Sequence, residues 1–191
     1  ILNVTPDSFS DGGNFTSVAS AIARAEQMIA EGAAIIDIGG ESSRPGADPV
    51  EADEEIKRVV PVIAALRKVS EIPISIDSYK AATAKAALSA GADIINDVRA
   101  LQRPGALEAV AAHGTCGVCL MHMQGEPGTM QAAPHYDDVV LDVAAFLAHR
   151  RDAALVAGIG FDRIALDPGI GFGKTIDHNL ALLARQRELL S

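Results

Sequence analysis

The chain has 191 residues, of which 49% are hydrophobic and 21% are charged, a composition that excludes disorder as the main state. Its 16 Lys and Arg residues against 25 Asp and Glu residues give a net charge of -9, which disfavours nucleic acid and anionic membrane surfaces as partners. No apolar run approaches the roughly 18 residues of a membrane span, and no charged leader follows Ile1, so we expect a cytoplasmic protein.

Short β-branched runs alternate with alanine-rich amphipathic stretches along the whole chain. The predicted strands are Ile1–Val4, Ala33–Gly39, Pro73–Asp77, Asp93–Val98, Gly117–His122 and Arg163–Pro168. The predicted helices span residues 17–31, 51–69, 80–90, 105–113, 137–157 and 178–190. This alternation predicts an α/β fold of βα units around a parallel sheet, in a single domain over residues 1–191.

Polar side chains gather at the carboxyl ends of the predicted strands. They are Asn3, Asp37, Asp77, Asn96 with Asp97, His122 and Asp167. This end of a parallel sheet carries the ligand site in α/β proteins, and a carboxylate inside an apolar strand is costly without a partner. We therefore expect the set to converge on one ligand. Asp37 is the member best explained structurally, as an acceptor beside the Gly39-Gly40 turn.

Two loops combine glycines, hydroxyl groups and a charge, which is typical of mobile segments that cover a site. The first loop is Thr5–Gly13 and the second is Gly39–Gly46. Arg44 is the basic residue of the second loop, and its guanidinium suits a pair of anionic oxygens. The alternative for both is an ordinary surface loop.

A third loop, Asp167–Thr175, ends in Gly-Lys-Thr and so resembles the end of a phosphate-binding P-loop. A P-loop needs glycine five positions before Gly173, but Pro168 stands there and also lacks an amide hydrogen. A nucleoside triphosphatase is therefore disfavoured. The glycines of this loop are better explained as allowing backbone to approach a flat ligand beside Asp167.

The side chains of Asp77, Asn96 and Asp167 combine two carboxylates with one amide. Carboxylates accept paired N–H groups, and an amide both donates and accepts, so the trio suits an amino-pyrimidinone edge such as that of guanine or pterin. A charged or phosphorylated arm of the ligand would be served by Asn3, Ser42, Ser43 and Arg44. His122 ends a strand and is a candidate for lining the site, but the five histidines lack transition-metal spacing.

The two cysteines, Cys116 and Cys119, form a C-x-x-C pattern that runs into an apolar strand. Redox-active pairs usually open a helix instead, and a four-thiolate zinc site would need a second pair. We expect both cysteines to be reduced and packed.

Six segments resemble, in order, the signatures of the dihydropteroate synthase family. They are Asn3–Gly13, Asp37–Gly46, Ile76–Ser78, Ile95–Asp97, Leu120–Gly125 and Asp167–Lys174. The resemblance implies a TIM (β/α)8 barrel, which takes about 250 residues when closed. We therefore expect about six of eight βα units here, incomplete at both ends.

The resemblance also implies a transferase of folate biosynthesis that is the target of sulfonamides. Such an enzyme condenses 6-hydroxymethyl-7,8-dihydropterin diphosphate with 4-aminobenzoate and releases 7,8-dihydropteroate and diphosphate. The implied cofactor is Mg²⁺, and the implied intact protein is a cytoplasmic homodimer that acts on small molecules without a nucleic-acid or membrane partner.

The resemblance assigns roles to individual positions. It places the pterin on Asp77, Asn96 and Asp167, the pterin diphosphate on Ser43, and Mg²⁺ with diphosphate on Asn3. It places the aminobenzoate or sulfonamide pocket at Phe9, Ser42, Arg44 and Pro45, and gives catalytic roles to Asp7, near the developing cation, and Arg44. Candidates for lining the site are His122, Phe172 and Lys174.

The sequence departs from the family pattern at a few points. Ser43 and Ser78 replace a common threonine and keep its hydroxyl group. The basic motifs of the last two βα units do not occur, so we expect the 191-residue piece alone to be inactive. The alternatives are a methyltetrahydrofolate–corrinoid methyltransferase, whose family lacks the Ser-Arg-Pro loop, and a non-catalytic binding remnant.

Overall fold

The structure is a computed structural model that describes residues 1–4, 14–41, 49–126 and 128–190, without the side chains of residues 14–17 and 190. Its strands are β1 Leu2–Asn3, β2 Ile36–Gly39, β3 Ile74–Asp77, β4 Ile94–Asp97, β5 Gly117–Met121 and β6 Ile164–Asp167. Its α-helices are α1 Asn14–Ala30, α2 Ala52–Val69, α3 Ala81–Ala90, α4 Ala106–His113, α5 Val139–Val156 and α6 Ile176–Ala184. The predicted βα alternation is confirmed.

The six strands form one parallel sheet in chain order, as consecutive βα units do in a TIM barrel. Within the described ranges, β1 pairs only with β2 and β6 only with β5, so the sheet is open between its first and last strands. The isoleucines of the inner strands, including Ile38, Ile76 and Ile95, are fully buried. Burial of each such side chain stabilises the fold by about 1.5–3 kcal/mol, which explains the near-continuous apolar strands.

The last predicted helix, residues 178–190, differs from the structure. α6 begins at Ile176, and the chain leaves helical geometry at Arg185 before a 3-10 helix at Gln186–Leu190. Thr175 caps α6, because its hydroxyl accepts a hydrogen bond from the backbone of His178 at 3.2 Å. The Gly-Lys-Thr sequence therefore ends in a helix cap.

A second 3-10 helix, Phe161–Arg163, includes the first residue of the predicted strand Arg163–Pro168, and β6 begins one residue later, at Ile164. The described helices include none that is both long and apolar enough to cross a membrane. Cys116 and Cys119 are free thiols, as predicted, and Cys116 is buried. The assignment of the chain to one domain stays a prediction.

Helix α2 packs closely against the end of β2. A side chain at Gly40 would come within 2.8 Å of Val59 and 2.9 Å of Glu55, both on α2. Glycine is therefore required at this position for the helix to lie against the strand end. The contact brings α2 to the edge of the sheet at which the polar residues gather.

Candidate active site

The strand register places polar residues from different βα units in one row. Asn3 pairs with Gly39, Gly39 with Asp77, and Asp77 with Asn96. Because paired residues of parallel strands share a face, these side chains point to the same side of the sheet. A Cβ atom placed on Gly39 would lie 3.7 Å from both Asn3 Oδ1 and Asp77 Oδ2. The glycine thus leaves open space between the two side chains.

Asp167 joins the row from the opposite edge of the sheet. Asn96 pairs with Cys119, which pairs with Ala165, and Asp167 lies two residues beyond Ala165 on the same face of β6. Asp77, Asn96 and Asp167 therefore share one face at the carboxyl end of the sheet, as the sequence predicted. All three are partly buried.

Asp37 also belongs to this face, as expected of the set, although the sequence favoured a structural role for it. It lies two residues before Gly39, and its Oδ2 accepts a hydrogen bond from the amide of Asn96 at 3.3 Å. Its Oδ1 is buried without a partner in the described part of the chain. The expectation that Asp37 serves the glycine turn is therefore not supported. Side chains two residues apart on a strand point to the same face, so the position of Asp37 relative to Gly39 indicates that it shares the face of Asp77.

Asp97 points to the other face of the sheet, so its inclusion among the converging residues is wrong. Its carboxylate accepts from the backbone of Arg99 at 2.7 Å and of Leu101 at 3.0 Å. These bonds hold a turn in which Ala100 and Leu101 have φ of 50° and 57°. Arg150 of α5 also donates to the Ala100 carbonyl at 2.8 Å. Asp97 thus stabilises the connection after β4.

The shared face is acidic, and this changes the chemistry of Asp77. Burial, followed by the charges of Asp37 and Glu55, raises the pKa of Asp77 to about 7. A buried carboxylate among other carboxylates gains from a ligand that brings N–H donors. The electrostatics therefore match the amino-pyrimidinone edge predicted from the residue types.

Cys119 lies in the row between Asn96 and Ala165 and is half-buried. Burial, with the nearby charge of Asp167, raises the pKa of its thiol to about 12. The side chain therefore remains a neutral thiol at physiological pH, as expected of a packed cysteine. The strand register, rather than the C-x-x-C spacing, shows that it borders the site.

The glycines of the loop after β6 serve loop packing. Gly169 and Gly173 have φ of +67° and +62°. A Cβ on Gly169 would overlap the carbonyl oxygen of His122, and one on Gly173 would overlap that of Gln124. These two glycines thus allow the loops after β5 and β6 to touch, rather than only a flat ligand to approach. The Asp167 carboxylate accepts from the backbone of Gly169 at 2.7 Å.

Lys174 and His122 form a buried pair that anchors these two loops. The Lys174 ammonium lies 3.0 Å from His122 Nδ1 and donates to the carbonyls of Gly169 and Phe172, each at 2.9 Å. The His122 ring packs edge-on against Phe146 of α5, with centroids 4.8 Å apart. Their predicted role in lining the site stays a prediction.

Burial governs the ionisation of this pair. It lowers the pKa of His122 to about 4, with the Lys174 charge as the next cause, and the pKa of Lys174 to about 8. The histidine is consequently neutral at physiological pH and accepts at Nδ1. Phe172 is half-buried, and its predicted contact with ligand stays a prediction.

Six predicted site residues lie outside the described residues. They are Asp7, Phe9, Ser42, Ser43, Arg44 and Pro45. The roles assigned to them stay predictions. The described flanks show where their segments attach: Val4 donates its amide hydrogen to the carbonyl of Gly39 at 2.9 Å, and Glu41 lies two residues after the end of β2.

The described residues provide few ligands for a bound metal ion. Among the described residues, no three His, Cys, Asp or Glu side chains are arranged to hold one. Asn3 offers one exposed amide oxygen beside Asp77. A single hard oxygen ligand suits Mg²⁺, which keeps several waters and takes its remaining ligands from phosphates.

Comparison with known proteins matches residues 1–190 to the pterin binding enzyme family. The dihydropteroate synthase of Haemophilus influenzae is 53% identical over 188 residues, which are 98% of this chain and 68% of that protein. A Yersinia pestis dihydropteroate synthase with a sulfonamide drug is 51% identical with a TM-score of 0.91, covering 98% of this chain and 68% of that one. A Burkholderia cenocepacia dihydropteroate synthase complexed with 7,8-dihydropteroate is 52% identical with a TM-score of 0.87, covering 98% and 64%.

The chain spans about two thirds of the length of these relatives. At this identity and structural similarity, the six βα units correspond to those of a TIM-barrel enzyme, and the predicted fold class is confirmed. The chain belongs to the dihydropteroate synthase family of pterin-binding enzymes.

Proposed function

We propose that the protein acts as a dihydropteroate synthase, a transferase that joins 4-aminobenzoate to 6-hydroxymethyl-7,8-dihydropterin diphosphate. The observation that carries the proposal is the shared face of Asp77, Asn96 and Asp167. It occurs in a chain that is 53% identical to the dihydropteroate synthase of Haemophilus influenzae. The products are 7,8-dihydropteroate and diphosphate, and sulfonamides compete with the aminobenzoate.

The pterin edge would bind to the acidic face. An ionised Asp77 or Asp167 accepts two N–H groups, while Asn96 donates and accepts at the ring carbonyl and nitrogen. The Asn96 amide already donates to Asp37, which fixes its orientation and leaves its oxygen as an acceptor. This arrangement discriminates against ligands that lack paired donors, because buried carboxylates would then remain unpartnered.

The diphosphate would leave from the β1 side of the site. We propose that Asn3 contributes one ligand to a Mg²⁺ ion that arrives with the diphosphate, while Ser43 contacts the pterin diphosphate. When bound, the ion neutralises charge that develops on the leaving group. The exposed Asn3 amide beside Asp77 supports this placement.

The second substrate would enter between the segments that follow β1 and β2. We propose that Phe9, Ser42, Arg44 and Pro45 form its pocket, with the Arg44 guanidinium on the carboxylate and Asp7 near the developing cation. Support comes from the described flanks, because both segments begin at the same end of the sheet as Asp77.

The chemistry is a substitution at the pterin methylene carbon. The bond from carbon to diphosphate oxygen breaks, the aromatic amine nitrogen bonds to that carbon, and the nitrogen loses one proton. The amine is a weak nucleophile, so its orientation contributes more than its deprotonation. Exclusion of water protects the cationic carbon from hydrolysis.

We also propose a cytoplasmic, homodimeric enzyme without nucleic-acid or membrane partners. The net charge of -9 supports the exclusion of polyanions as partners. The free state of both cysteines is consistent with a reducing compartment. The dimer is proposed from the family resemblance alone.

The function is tested by measuring dihydropteroate formation by the full-length protein from both substrates. We expect activity that sulfonamide inhibits, loss of pterin binding in Asp77→Asn, and normal binding in the control Asp53→Asn, an exposed carboxylate on α2. Absence of product together with binding of methyltetrahydrofolate would favour the corrinoid methyltransferase instead. The same assay on the 191-residue chain tests our expectation that it is inactive alone.

A further inference from the structure

A buried carboxylate on α2 accepts three hydrogen bonds from the chain that follows β3. The Glu55 side chain is fully buried, and its Oε2 accepts from the hydroxyl of Ser78 at 3.0 Å and from that of Thr83 at 2.7 Å. The ammonium group of Lys80 donates to the same oxygen at 3.0 Å, and the Lys80 side chain is only 15% exposed. One oxygen atom of α2 thus holds the connection after β3 and the first turn of α3.

The surroundings of this carboxylate make the network firm. Glu55 and Lys80 form an ion pair away from solvent, and charge-assisted hydrogen bonds are about twice as strong as bonds between neutral groups. Loss of a partner would leave a buried polar group uncompensated, so the donors and the acceptor depend on one another. The network therefore fixes residues 78–83 more firmly than an exposed ion pair would.

Asp77 is the residue directly before this connection. Its neighbour Ser78 donates its backbone amide hydrogen to the carbonyl of Asn96 at 3.1 Å, so the ladder between β3 and β4 continues one residue past Asp77. The hydroxyl of the same Ser78 donates to Glu55. The end of β3 is therefore held from two sides, by the adjacent strand and by α2.

Glu55 also contacts the end of the neighbouring strand β2. A Cβ atom on Gly40, directly after β2, would lie 2.9 Å from Cγ of Glu55. The preceding residue, Gly39, pairs with Asp77 and leaves the open space between Asp77 and Asn3. A single side chain of α2 thus contacts the ends of both β2 and β3, beside the row of polar residues.

We propose that Glu55 is a positioning residue that holds the Asp77 carboxylate in the direction required by the pterin edge. The proposal rests on the proposed function, which places the pterin on Asp77, Asn96 and Asp167. Glu55 acts through Ser78 and the backbone at the end of β3, and not by touching the pterin. Paired N–H groups need a carboxylate in one plane and at one distance, so a small rotation of the strand end weakens binding.

Glu55 also acts on Asp77 through its charge. Burial, followed by the charges of Asp37 and Glu55 and then those of Asp97 and Glu41, raises the pKa of Asp77 to about 7. Removal of the Glu55 charge alone would favour ionised Asp77 near neutral pH and so strengthen pterin binding. Measurement at about pH 8.5, where Asp77 is ionised in either case, isolates the effect of position.

The test is calorimetric titration of the full-length protein with 6-hydroxymethylpterin at about pH 8.5. We expect Kd to rise about tenfold in Glu55→Gln and about fivefold in Ser78→Ala, which keeps the Glu55 charge. Ser78→Thr keeps the hydroxyl group and should bind within about twofold of the unsubstituted protein. The double variant should bind as weakly as Glu55→Gln alone, because both changes weaken the same contact.

Glu54→Gln is the matched control, because Glu54 is the exposed neighbour of Glu55 and pairs with Arg58 of the same helix. It should leave Kd unchanged. Unchanged Kd values in Glu55→Gln and Ser78→Ala, with a loss confined to thermal stability, would overturn the proposal, as would additive losses in the double variant. If Glu55→Gln fails to fold, the comparison of Ser78→Ala with Ser78→Thr decides alone. Failure of the unsubstituted protein to bind the pterin would instead refute the proposed function.

Discussion

The ammonium group of Lys174 lies 3.0 Å from Nδ1 of His122, and both side chains are almost completely buried. Lysine can only donate, so the imidazole accepts at Nδ1 and is neutral, in agreement with its lowered pKa. The backbone carbonyls of His122, Gly169 and Phe172 complete the surroundings of the ammonium group. The pair thus joins the connections that follow β5 and β6, and Asp167 is the last residue of β6, directly before the second connection.

Lys174→Met should destabilise the protein by about 2–4 kcal/mol, because it leaves buried carbonyl groups without a donor. Urea unfolding of the full-length protein measures this change. Lys85→Met is the matched control, since Lys85 is exposed on α3 and should tolerate the change within about 0.5 kcal/mol. Equal effects of the two substitutions would contradict the anchoring role of Lys174.

Gly169→Ala should cost more stability than Gly171→Ala, although both glycines have positive φ. Alanine at Gly171 meets nothing within 4 Å, so only backbone strain of about 1 kcal/mol is expected. Alanine at Gly169 would in addition overlap the carbonyl of His122, and we expect a loss above about 3 kcal/mol. Similar urea midpoints for the two variants would show that the loops are not in contact.

Asp77→Asn should stabilise the unliganded protein at pH 8 while abolishing pterin binding. The pKa of Asp77 rises from 3.8 to about 7 on folding, so its contribution to stability is lost as pH rises between those values. Asparagine does not ionise, and the thermal midpoint at pH 8 should rise by at least about 3 °C. The gain should shrink towards pH 4, and a lower midpoint at pH 8 would contradict the electrostatic explanation.

Pterin affinity should increase with pH through the titration of Asp77. The ionised carboxylate accepts paired N–H groups, whereas the protonated form predominates below about pH 7. One titrating group with this pKa gives about a tenfold loss of affinity between pH 8 and pH 6. Calorimetry with a pterin analogue measures the slope, and an affinity that stays constant between pH 6 and pH 8 would contradict the titration of Asp77.

The strands, most helix bounds and the shared face of Asp77, Asn96 and Asp167 were predictable because they depend on local periodicity and strand order. Asp77 and Asn96 occupy the strand ends that the pattern indicated. The opposite roles of Asp37 and Asp97 depend on the face of the sheet, which alternation specifies once the register is known.

Other features depend on contacts between distant parts of the chain. Glu55 stands in the first turn of α2, where acidic residues usually face solvent, yet it is fully buried. Its partners Ser78 and Thr83 lie 23 and 28 residues away. Similarly, the Lys174 partner His122 lies 52 residues away. Composition and spacing do not encode such pairings without the packing of neighbouring βα units.

The turn after β4 has a consequence for the order in which the site matures. Its left-handed residues Ala100 and Leu101 are held by Arg150, which lies 50 residues from Ala100 along the chain. During synthesis at the ribosome, Asn96 therefore emerges well before the arginine that secures the connection beside it. Asp167 on β6 also follows α5 along the chain, so the acidic face is complete only after α5 has been synthesised, and ligand recognition should arise late in folding.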